Sequence, residues 1–465
     1  MNLENKNKKP FKQKPGEGRP PGPSRLSNEK AGFEVRATAA KLLAAVVDKK
    51  ISLDGILDAG HGNPAYRQLS DQDRALTRAI LLSALRHLSR IEAALSSLLA
   101  SPLPQGARPL HHVLCVAAAQ ILYLDVPSHA VVDIAVEQAH RDPRNRRFAK
   151  LVNAVLRRLV REKHTVLEQI SVVSPVPDWF MTRLVSAYGV EDAREIAEAQ
   201  LVPPGIDLTV KADPQHWAKE LGAWLLPTGS LRLPPFEGSV ALLPGFEDGA
   251  WWVQDVAASI PAQLFGDIRG KRIADLCAAP GGKTAQLVVA GADVIAVEQS
   301  ANRIIRLKEN LARLGLRAEL VQGDLFEFRP DALLDGVLLD APCSSTGTTR
   351  RHPDVLWTKG PEDIEKLAAL QGRMLRHAAT LVKPGGLIVF SNCSLDPLEG
   401  EALVADLLRE DAMLERVPVD PAAWPGLENA ITPEGEFRTT PAMMPSKSGF
   451  TGGMDGFFAC VLRRR

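Results

Sequence analysis

Apolar residues recur three and four positions apart along the N-terminal part of the chain, from Phe33 to about Lys163. The segments RALTRAILLSALRHLSRIEAALSSLL and HHVLCVAAAQILYL show this spacing most clearly. A period near 3.6 puts such residues on one face of a helix, and prolines such as Pro102 and Pro127 separate one helix from the next. The pattern therefore predicts an all-α bundle.

The pattern becomes mixed after this predicted bundle. A short helical segment, PDWFMTRLVSAYG, is followed by Pro203 and Pro204 and then by IDLTVKA, which alternates like a strand. We expect a small α/β subdomain in this part of the chain.

Short apolar runs alternate with helical patterns from residue 257 onward. The predicted strands are RIADLC (272–277), VIAVE (294–298), AELVQGD (318–324), GVLLD (336–340), GLIVF (386–390) and a closing edge strand, GFFACVLRR (456–464). Predicted helices occupy 302–315 and 361–382. Alternation of this kind predicts a doubly wound, mostly parallel, Rossmann-like sheet that binds its ligand at the carboxyl ends of the strands.

A chain of 465 residues is too long for one core, so several domains are expected. We predict four parts: a disordered basic tail (1–32), a helical domain (33–165), a small α/β subdomain (166–256) and a Rossmann-like domain (257–465).

Composition restricts the class of protein. The net charge is +1, the chain has no apolar run long enough to cross a membrane, and we expect no signal peptide because no apolar stretch follows the N-terminal lysines. Its five cysteines contain no CxxC pair, which argues against a disulfide framework and a zinc site: Cys115, Cys277, Cys343, Cys393 and Cys460. We expect a cytoplasmic protein with no metal and no membrane partner, and a monomer.

Positive charge is concentrated in two segments. Residues 1–32 hold eight Lys/Arg and three Glu, a net of +5, and residues 141–163 hold nine Lys/Arg and two acids, a net of +7. Either segment is explained by solvation alone. The alternative is a pair of phosphate-binding surfaces for a nucleic acid, with RNA contacts on the 141–163 segment.

The loop after the first predicted strand of the sheet is rich in glycine. This loop, residues 277–283, consists of Cys277, Ala278, Ala279, Pro280, Gly281, Gly282 and Lys283. Glycine permits close approach of the backbone to a ligand, and the following helix offers free N–H groups. A phosphate-binding P-loop would need glycine at the position of Cys277. A tight turn without a ligand is the simpler alternative.

Acidic residues at the next strand ends favour a ligand. Glu298 ends the second strand, 16 residues beyond Gly282, where a carboxylate is placed to hold a ribose. Asp324 ends the third strand, beside the expected place of an adenine. The GxGxxG fingerprint of nicotinamide enzymes is absent, so we predict S-adenosylmethionine as the cofactor.

Two cysteines follow two other predicted strands, Cys343 in LLDAPCSSTG and Cys393 in FSNCSLD. Carbon 5 of cytosine is a poor nucleophile, and a thiolate that adds to carbon 6 makes it able to attack a methyl group. Asp340, three residues before Cys343, suits the developing charge on the ring nitrogen. The alternative for any single cysteine is simple packing, which we predict for Cys115 and Cys460. We also expect Cys277 to serve packing within its loop.

The helical part resembles the antitermination factor NusB. The resemblance rests on DRAL (73–76), LRHLSRIEAAL (85–95), AAQILYLDVPSHAVVDIAVE (118–137) and FAKLVNAVLRR (148–158). It implies an RNA partner.

The C-terminal part resembles the RNA cytosine-5 methyltransferases. The motifs are DLCAAPGGKT (275–284), LLDAPCSSTG (338–347), RRHPDVLW (350–357) and NCS (392–394) with Pro397 and Glu399. Together with a NusB-like domain, this is the layout of the bacterial 16S rRNA methyltransferases of the B type. The resemblance implies Cys393 as nucleophile, Cys343 as the residue that helps release the product, and residues 277–283, Glu298, Asp324 and Asp340 around the cofactor.

The chain departs from the family pattern at Asn392, where Thr is usual, and at Gly400, where Asn is common. Two alternatives stay open: a tRNA cytosine-5 methyltransferase, and a non-catalytic NusB-like RNA-binding protein. Retention of both cysteines, Asp340 and Lys283 argues against the second.

Overall fold

The computed structural model describes residues 31–58, 60–236 and 238–465. The predicted basic tail lies outside the described residues up to residue 30. The N-terminal part is helical, as predicted, with α1 Phe33–Lys49, α2 Leu53–Leu57, α3 Pro64–Arg67, α4 Asp71–Arg86, α5 Leu88–Leu98, α6 Arg108–Tyr123, α7 Ser128–Arg141, α8 Ala149–Arg161 and α9 Lys163–Ile170. Their apolar faces form one buried core, which has α6 at its centre because most of its side chains are buried.

A long helix, α10 Asp178–Ala199, connects the bundle to the rest of the chain and bends at Gly189, where φ is 79°. The next segment is a small antiparallel sheet with one helix: β1 Asp207–Val210, α11 Pro214–Glu220, β2 Trp224–Leu225, β3 Leu231–Arg232 and β4 Trp251–Val253, in the order β2-β3-β1-β4. The predicted domain limit at 165 falls inside α9, and that at 256 falls between β4 and the next helix.

The C-terminal part is a twisted sheet flanked by helices. Its elements are α12 Ile260–Gln263, β5 Arg272–Leu276, α13 Gly282–Val289, β6 Asp293–Glu298, α14 Ala301–Arg313, β7 Glu319–Gln322, β8 Leu334–Asp340, α15 Val355–Thr358, α16 Pro361–Leu381, β9 Val382–Asn392, α17 Glu401–Glu410, β10 Leu414–Arg416, β11 Phe437–Thr439 and β12 Phe457–Arg464. The strand order is β10-β12-β9-β8-β5-β6-β7, and β11 pairs with β12.

Strands β5 to β9 pair in parallel, so the predicted doubly wound sheet is confirmed. The order of the strands reverses between β5 and β8, which are neighbours although β6 and β7 intervene in the chain. A crevice opens at such a switch point, outside the carboxyl ends of the strands. This topology places the loops after β5 and β8 side by side.

The prediction of an edge strand at the C-terminus is wrong. Strand β12 lies inside the sheet, antiparallel to β9, and β10 and β11 pair with its other edge. Its residues from Phe457 to Leu462 are all buried. A continuous apolar run is typical of a strand covered on both faces, so the sequence FFACVL held the signal.

The motif RRHPDVLW lies at the contact between the helical part and the sheet part. The Trp357 indole N–H donates to the carbonyl of Leu85 at 2.9 Å, and the Leu53 N–H donates to the Asp354 carboxylate at 2.9 Å. Arg86 donates to the carbonyl of Arg350 at 2.7 Å. This segment therefore joins the N-terminal helices to the loop that follows Cys343. Among the described residues, none of the helices is both long and apolar enough to span a bilayer.

Candidate active site

A cavity of about 640 Å³ opens at the carboxyl ends of β5, β6, β8 and β9, beside the switch point of the sheet. It is lined by Cys277, Val297, Glu298, Gln299, Arg303, Gly323, Asp324, Leu325, Phe326, Asp340, Ala341, Pro342, Cys343, Ser345, Leu370, Arg373, Met374 and Cys393. The structure thus brings together the two acids, the two thiols and Asp340 that the sequence singled out. A cavity of this size has room for a small organic ligand.

Backbone conformation shapes the glycine-rich loop after β5. Cys277 and Gly281 both adopt left-handed conformations, with φ of 64° and 103°. A Cβ atom at Gly281 would lie 2.4 Å from Cδ1 of Leu307, so only glycine fits against α14 there. The loop is therefore pressed against the helix, and its first residue, Cys277, faces the cavity.

The loop does not face the cavity along its whole length. Ala278 and Ala279 are buried in a hydrophobic cluster with residues of α14, and Pro280 is exposed. Gly282 starts α13 beside Gln254. Lys283 turns toward the strand ends, where its Nζ donates to Oδ2 of Asp340 at 2.7 Å.

Glu298 lies at the end of β6 on the cavity wall and is only 3% exposed. Oε1 accepts a hydrogen bond from the Ser300 N–H at 2.9 Å, and Oε2 lies 3.3 Å from the guanidinium of Arg303. These two contacts hold the carboxylate in a fixed place on the cavity wall. This is the arrangement that a pair of ribose hydroxyls requires.

Asp324 lies on the same wall, although β7 is shorter than predicted and ends at Gln322. Oδ1 of Asp324 accepts the Phe326 N–H at 2.9 Å. The half-buried Phe326 ring also lines the cavity, with the Arg373 guanidinium 5.6 Å from its centroid. An aromatic face next to a carboxylate suits a flat heteroaromatic ligand with an exocyclic amine.

The two predicted catalytic cysteines are neighbours. Strands β8 and β9 pair in parallel with Asp340 opposite Ser391, and the Ser391 hydroxyl donates to Oδ1 of Asp340 at 3.0 Å. Just beyond these strand ends, the Sγ atoms of Cys343 and Cys393 are 3.4 Å apart. The hydrogen bond with Cys393, together with burial, raises the pKa of the Cys343 thiol well above its ordinary value. Cys343 is therefore protonated at neutral pH.

Two of the remaining three cysteines are buried packing residues, as predicted. Cys115 and Cys460 are fully buried among apolar side chains, and burial raises the pKa of each thiol. Cys277 packs against the apolar core of the sheet, as predicted, and it also lines the cavity. Burial and nearby carboxylates raise the pKa of its thiol to about 12, so it meets a ligand as a neutral group.

Sequence reasoning missed several residues of the cavity. Phe326 follows Asp324 by two positions, and Arg373 and Met374 come from α16. No motif marks these positions, because helix α16 reaches the cavity only through the packing of the sheet. Glu399 belongs to a motif of the resembled family, but the sequence predicts no role for it. In the structure it is hydrogen-bonded to Ser344 and Ser394, which follow the two cysteines.

A Rossmann-like sheet with a ligand-sized cavity at its switch point and acids at successive strand ends defines a nucleotide-binding class of fold. Solved structures share this fold. PH0851 matches with a TM-score of 0.69 at 21% identity, covering 94% of this chain and 99% of that chain. A methyltransferase homolog protein from Pyrococcus horikoshii matches with a TM-score of 0.50 at 26% identity, covering 61% and 94%.

Family models match both parts of the chain: "NusB family" at residues 34–161 and "16S rRNA methyltransferase RsmB/F" at residues 264–463. Ribosomal RNA small subunit methyltransferase B of Serratia proteamaculans is 34% identical over 424 residues, which is 87% of this chain and 97% of that protein. The protein of the same name from Salmonella typhi is 32% identical, covering 93% and 99%. The chain belongs to this methyltransferase family, so the predicted family, enzyme class and fold are confirmed.

Proposed function

We propose that this enzyme transfers a methyl group from S-adenosylmethionine to carbon 5 of a cytosine in 16S rRNA through a covalent Cys393–cytosine intermediate. The observation that carries the proposal is the pair of thiols, 3.4 Å apart, on the wall of a cavity that also contains two carboxylates at strand ends. A single nucleophile needs one thiol. Two thiols facing one cavity fit a reaction in which a covalent bond is both made and broken.

The residues of the cavity fit S-adenosylmethionine. Glu298 offers a buried acceptor for ribose hydroxyls, and Asp324 with Phe326 offers an acceptor and an aromatic face for adenine. The left-handed backbone at Cys277 brings the loop after β5 to the same wall. When bound, the cofactor supplies an electrophilic methyl group.

The protein's own groups then account for activation of the base. The thiolate of Cys393 forms a bond to carbon 6 of cytosine, and the electron pair of the 5,6 double bond makes carbon 5 nucleophilic. The negative charge that develops on the ring nitrogen is neutralised by a proton, and we assign its delivery to Asp340, which lies at the adjacent strand end with hydrogen bonds to Lys283 and Ser391. This proton returns to Asp340 when the double bond is restored. After methyl transfer the proton on carbon 5 leaves to a base, the Cys393–carbon 6 bond breaks, and the double bond is restored.

Cys343 suits the release step. Its raised pKa keeps the thiol protonated, which disfavours attack and suits proton exchange beside the leaving Cys393 sulfur. Only the extruded form of a base reaches such a cavity, so we expect an unpaired or flipped-out cytosine as substrate.

The ribosomal substrate is supported by the family and by the helical part. The relatives are ribosomal RNA methyltransferases by name, and α8 exposes Lys150, Arg157 and Arg161 on one side of a NusB-like bundle. Such a surface binds phosphates. A tRNA substrate would use the same chemistry, and the experiment below separates the two.

The test is methylation of purified RNA. The enzyme is incubated with tritiated S-adenosylmethionine and either 16S rRNA or bulk tRNA, and the modified nucleoside is identified after digestion. We expect 5-methylcytidine in 16S rRNA only, at a position that bisulfite mapping finds unmethylated in a deletion strain. Label in tRNA alone would show that tRNA, and not 16S rRNA, is the substrate. Label in a nucleoside other than 5-methylcytidine would contradict methylation at carbon 5 of cytosine.

A further inference from the structure

Glu399 is a fully buried acid that touches both cysteine loops without lining the cavity wall itself. Its Oε1 accepts the Ser344 N–H at 2.9 Å and a Gln371 amide N–H at 2.8 Å. Its Oε2 accepts the hydroxyls of Ser344 at 2.5 Å and Ser394 at 2.6 Å. Ser344 follows Cys343 and Ser394 follows Cys393, so one carboxylate is bonded to the neighbour of each thiol.

The residues before the two cysteines join the same network. The second amide N–H of Gln371 donates to the carbonyl of Pro342 at 3.0 Å. The amide of Asn392 donates to the carbonyl of Glu399 at 2.5 Å, and its oxygen accepts the Ser394 N–H at 3.0 Å. We call Gln371, Asn392 and Glu399 the thiol clamp. Asn392, which stands where the family usually has Thr, thus bonds both to Glu399 and to Ser394, the residue after Cys393.

The thiol clamp lies just beyond the residues at which strands β8 and β9 stop pairing. The pairing of β8 and β9 ends with a backbone bond from the Ala341 N–H to the Ser391 carbonyl at 2.9 Å, and one further backbone bond links the two loops, from the Gly347 N–H to the Cys393 carbonyl at 2.9 Å. Between these two bonds, side-chain contacts hold the residues beside Cys343 against those beside Cys393. Since misplacement of a reacting group by about 1 Å costs on the order of a hundredfold in rate, these contacts matter for a reaction that uses both thiols.

We propose that Glu399 is a positioning residue that fixes the separation of the Cys343 and Cys393 loops so that both thiols reach one pyrimidine ring. It acts through hydrogen bonds and takes no part in proton transfer. The proposal rests on the proposed function for its meaning in catalysis, although the loop geometry that it describes is independent of the substrate.

The hydrogen-bonding groups around Glu399 predict different results for two substitutions, Glu399→Gln and Glu399→Ala. Oε1 faces two groups that only donate, the Ser344 N–H and the Gln371 amide, whereas Oε2 faces two hydroxyls that either donate or accept. In Glu399→Gln the carbonyl replaces Oε1 and the amide donates to the hydroxyls, so every bond is kept. Glu399→Ala leaves all four donors without this acceptor.

The first readout measures loop separation without RNA or cofactor. Diamide oxidises two adjacent thiols to a disulfide while it is reduced to the hydrazine, and peptide mapping quantifies the Cys343–Cys393 cross-link. We expect rapid cross-linking in the wild type and in Glu399→Gln, and a rate at least about tenfold lower in Glu399→Ala. Glu436→Ala serves as the matched control, because Glu436 is similarly buried but pairs with Arg416, which belongs to neither the Cys343 loop nor the Cys393 loop.

The second readout is methyl transfer. We expect Glu399→Gln to retain turnover within about threefold, and Glu399→Ala to lose on the order of a hundredfold in kcat with unchanged affinity for S-adenosylmethionine. If Glu399→Ala fails to fold, Gln371→Met, which removes both amide donors at constant length, is expected to slow cross-linking in the same direction.

Three results would overturn the proposal. One is wild-type cross-linking in Glu399→Ala, or in Gln371→Met where that variant replaces it, and another is no cross-link in the wild type. The third is loss of turnover in Glu399→Gln with cross-linking intact, which would make Glu399 a proton-transfer residue. Failure of the proposed function alone would leave the cross-linking pattern unchanged, so the two failures are distinguishable.

Discussion

The two walls of the cavity are built in different ways. On the cofactor wall, Glu298 and Asp324 each accept a backbone N–H from two residues further along the chain, Ser300 and Phe326. On the thiol wall, Cys343 and Cys393 are separated by 50 residues and are held by Glu399, which bonds to groups 28 and 55 residues away. The cofactor wall is therefore locally determined, whereas the thiol wall depends on a network that spans several elements.

This difference sets what substitutions are expected to do. A change on the cofactor wall removes one interaction with a ligand and leaves its neighbours in place, because each acid is held by its own turn. A change on the thiol wall alters either the chemistry of a thiol or the geometry of both. The predictions below test this contrast, from the largest expected effect to the smallest.

The largest effects are expected from the thiols themselves. Cys393→Ala should abolish methylation and form no covalent adduct, because the nucleophile must add first. Cys343→Ala should attack and methylate, then fail to release the RNA, so a protein–RNA adduct should survive denaturing gel electrophoresis. The double variant should form none. An adduct that appears with Cys393→Ala instead would reverse the two roles.

Glu298→Ala should weaken S-adenosylmethionine binding by about 1.5–3 kcal/mol, the range for hydrogen bonds to a charged group. Calorimetry measures this loss. The diamide cross-link between Cys343 and Cys393 should form at the wild-type rate in this variant, because the cofactor wall is locally held. Unchanged affinity would remove Glu298 from the site, and slowed cross-linking would show that the two walls are coupled.

Asp275, a buried acid of β5, leads to a prediction about how the free energy of unfolding depends on pH. Burial raises the pKa of its carboxyl from 3.8 to about 7, and Thr284 donates to Oδ2 at 2.6 Å. Among the described residues Oδ1 has no hydrogen-bond partner. Between these two pKa values the folded protein holds a proton that the unfolded chain has released, so the free energy of unfolding falls as pH rises, by at most about 1.36 kcal/mol per unit.

Asp275→Asn should therefore reduce the pH dependence of stability between pH 5 and 7. Urea unfolding of both proteins at several pH values measures the difference in slope. Parallel pH profiles for the variant and the wild type would show that Asp275 is ionised in the folded protein throughout this range.

The smallest expected effect lies outside the cavity, on α8. The exposed Lys150 and Arg157 belong to the segment predicted to bind RNA, and removal of each phosphate-binding side chain should lower the slope of log affinity against log salt by about 0.7. Lys150→Ala with Arg157→Ala should give roughly twice that change with turnover at saturating RNA retained. Lys383→Ala, an exposed lysine that pairs with Asp335, is the control. An unchanged slope would exclude this face.

The role of the basic tail is tested separately from that of the α8 surface. Deleting residues 1–32, with their net charge of +5, should lower the salt slope modestly and leave turnover nearly unchanged.

Much of the cofactor wall was predictable because its signals are local. Glu298 and Asp324 stand at or just beyond the ends of apolar runs, and parallel strands bring such ends to one edge of the sheet. The same reasoning placed Cys343 and Cys393 at that edge. It did not reveal that Lys283 turns to Asp340 or that Ala278 and Ala279 pack in a hydrophobic cluster with α14. Each of these depends on contacts between distant segments.

The sequence by itself determined the helical and strand periods, the positions of the strand ends and the chemical groups placed there, because these are properties of neighbouring residues. The tertiary structure decided the 3.4 Å separation of the thiols, the burial of Glu399 beneath them and the contribution of α16 to the cavity. The physical reason is that hydrogen bonds between residues 28 to 55 positions apart leave no period in the sequence, and only packing shows which donors meet which acceptor.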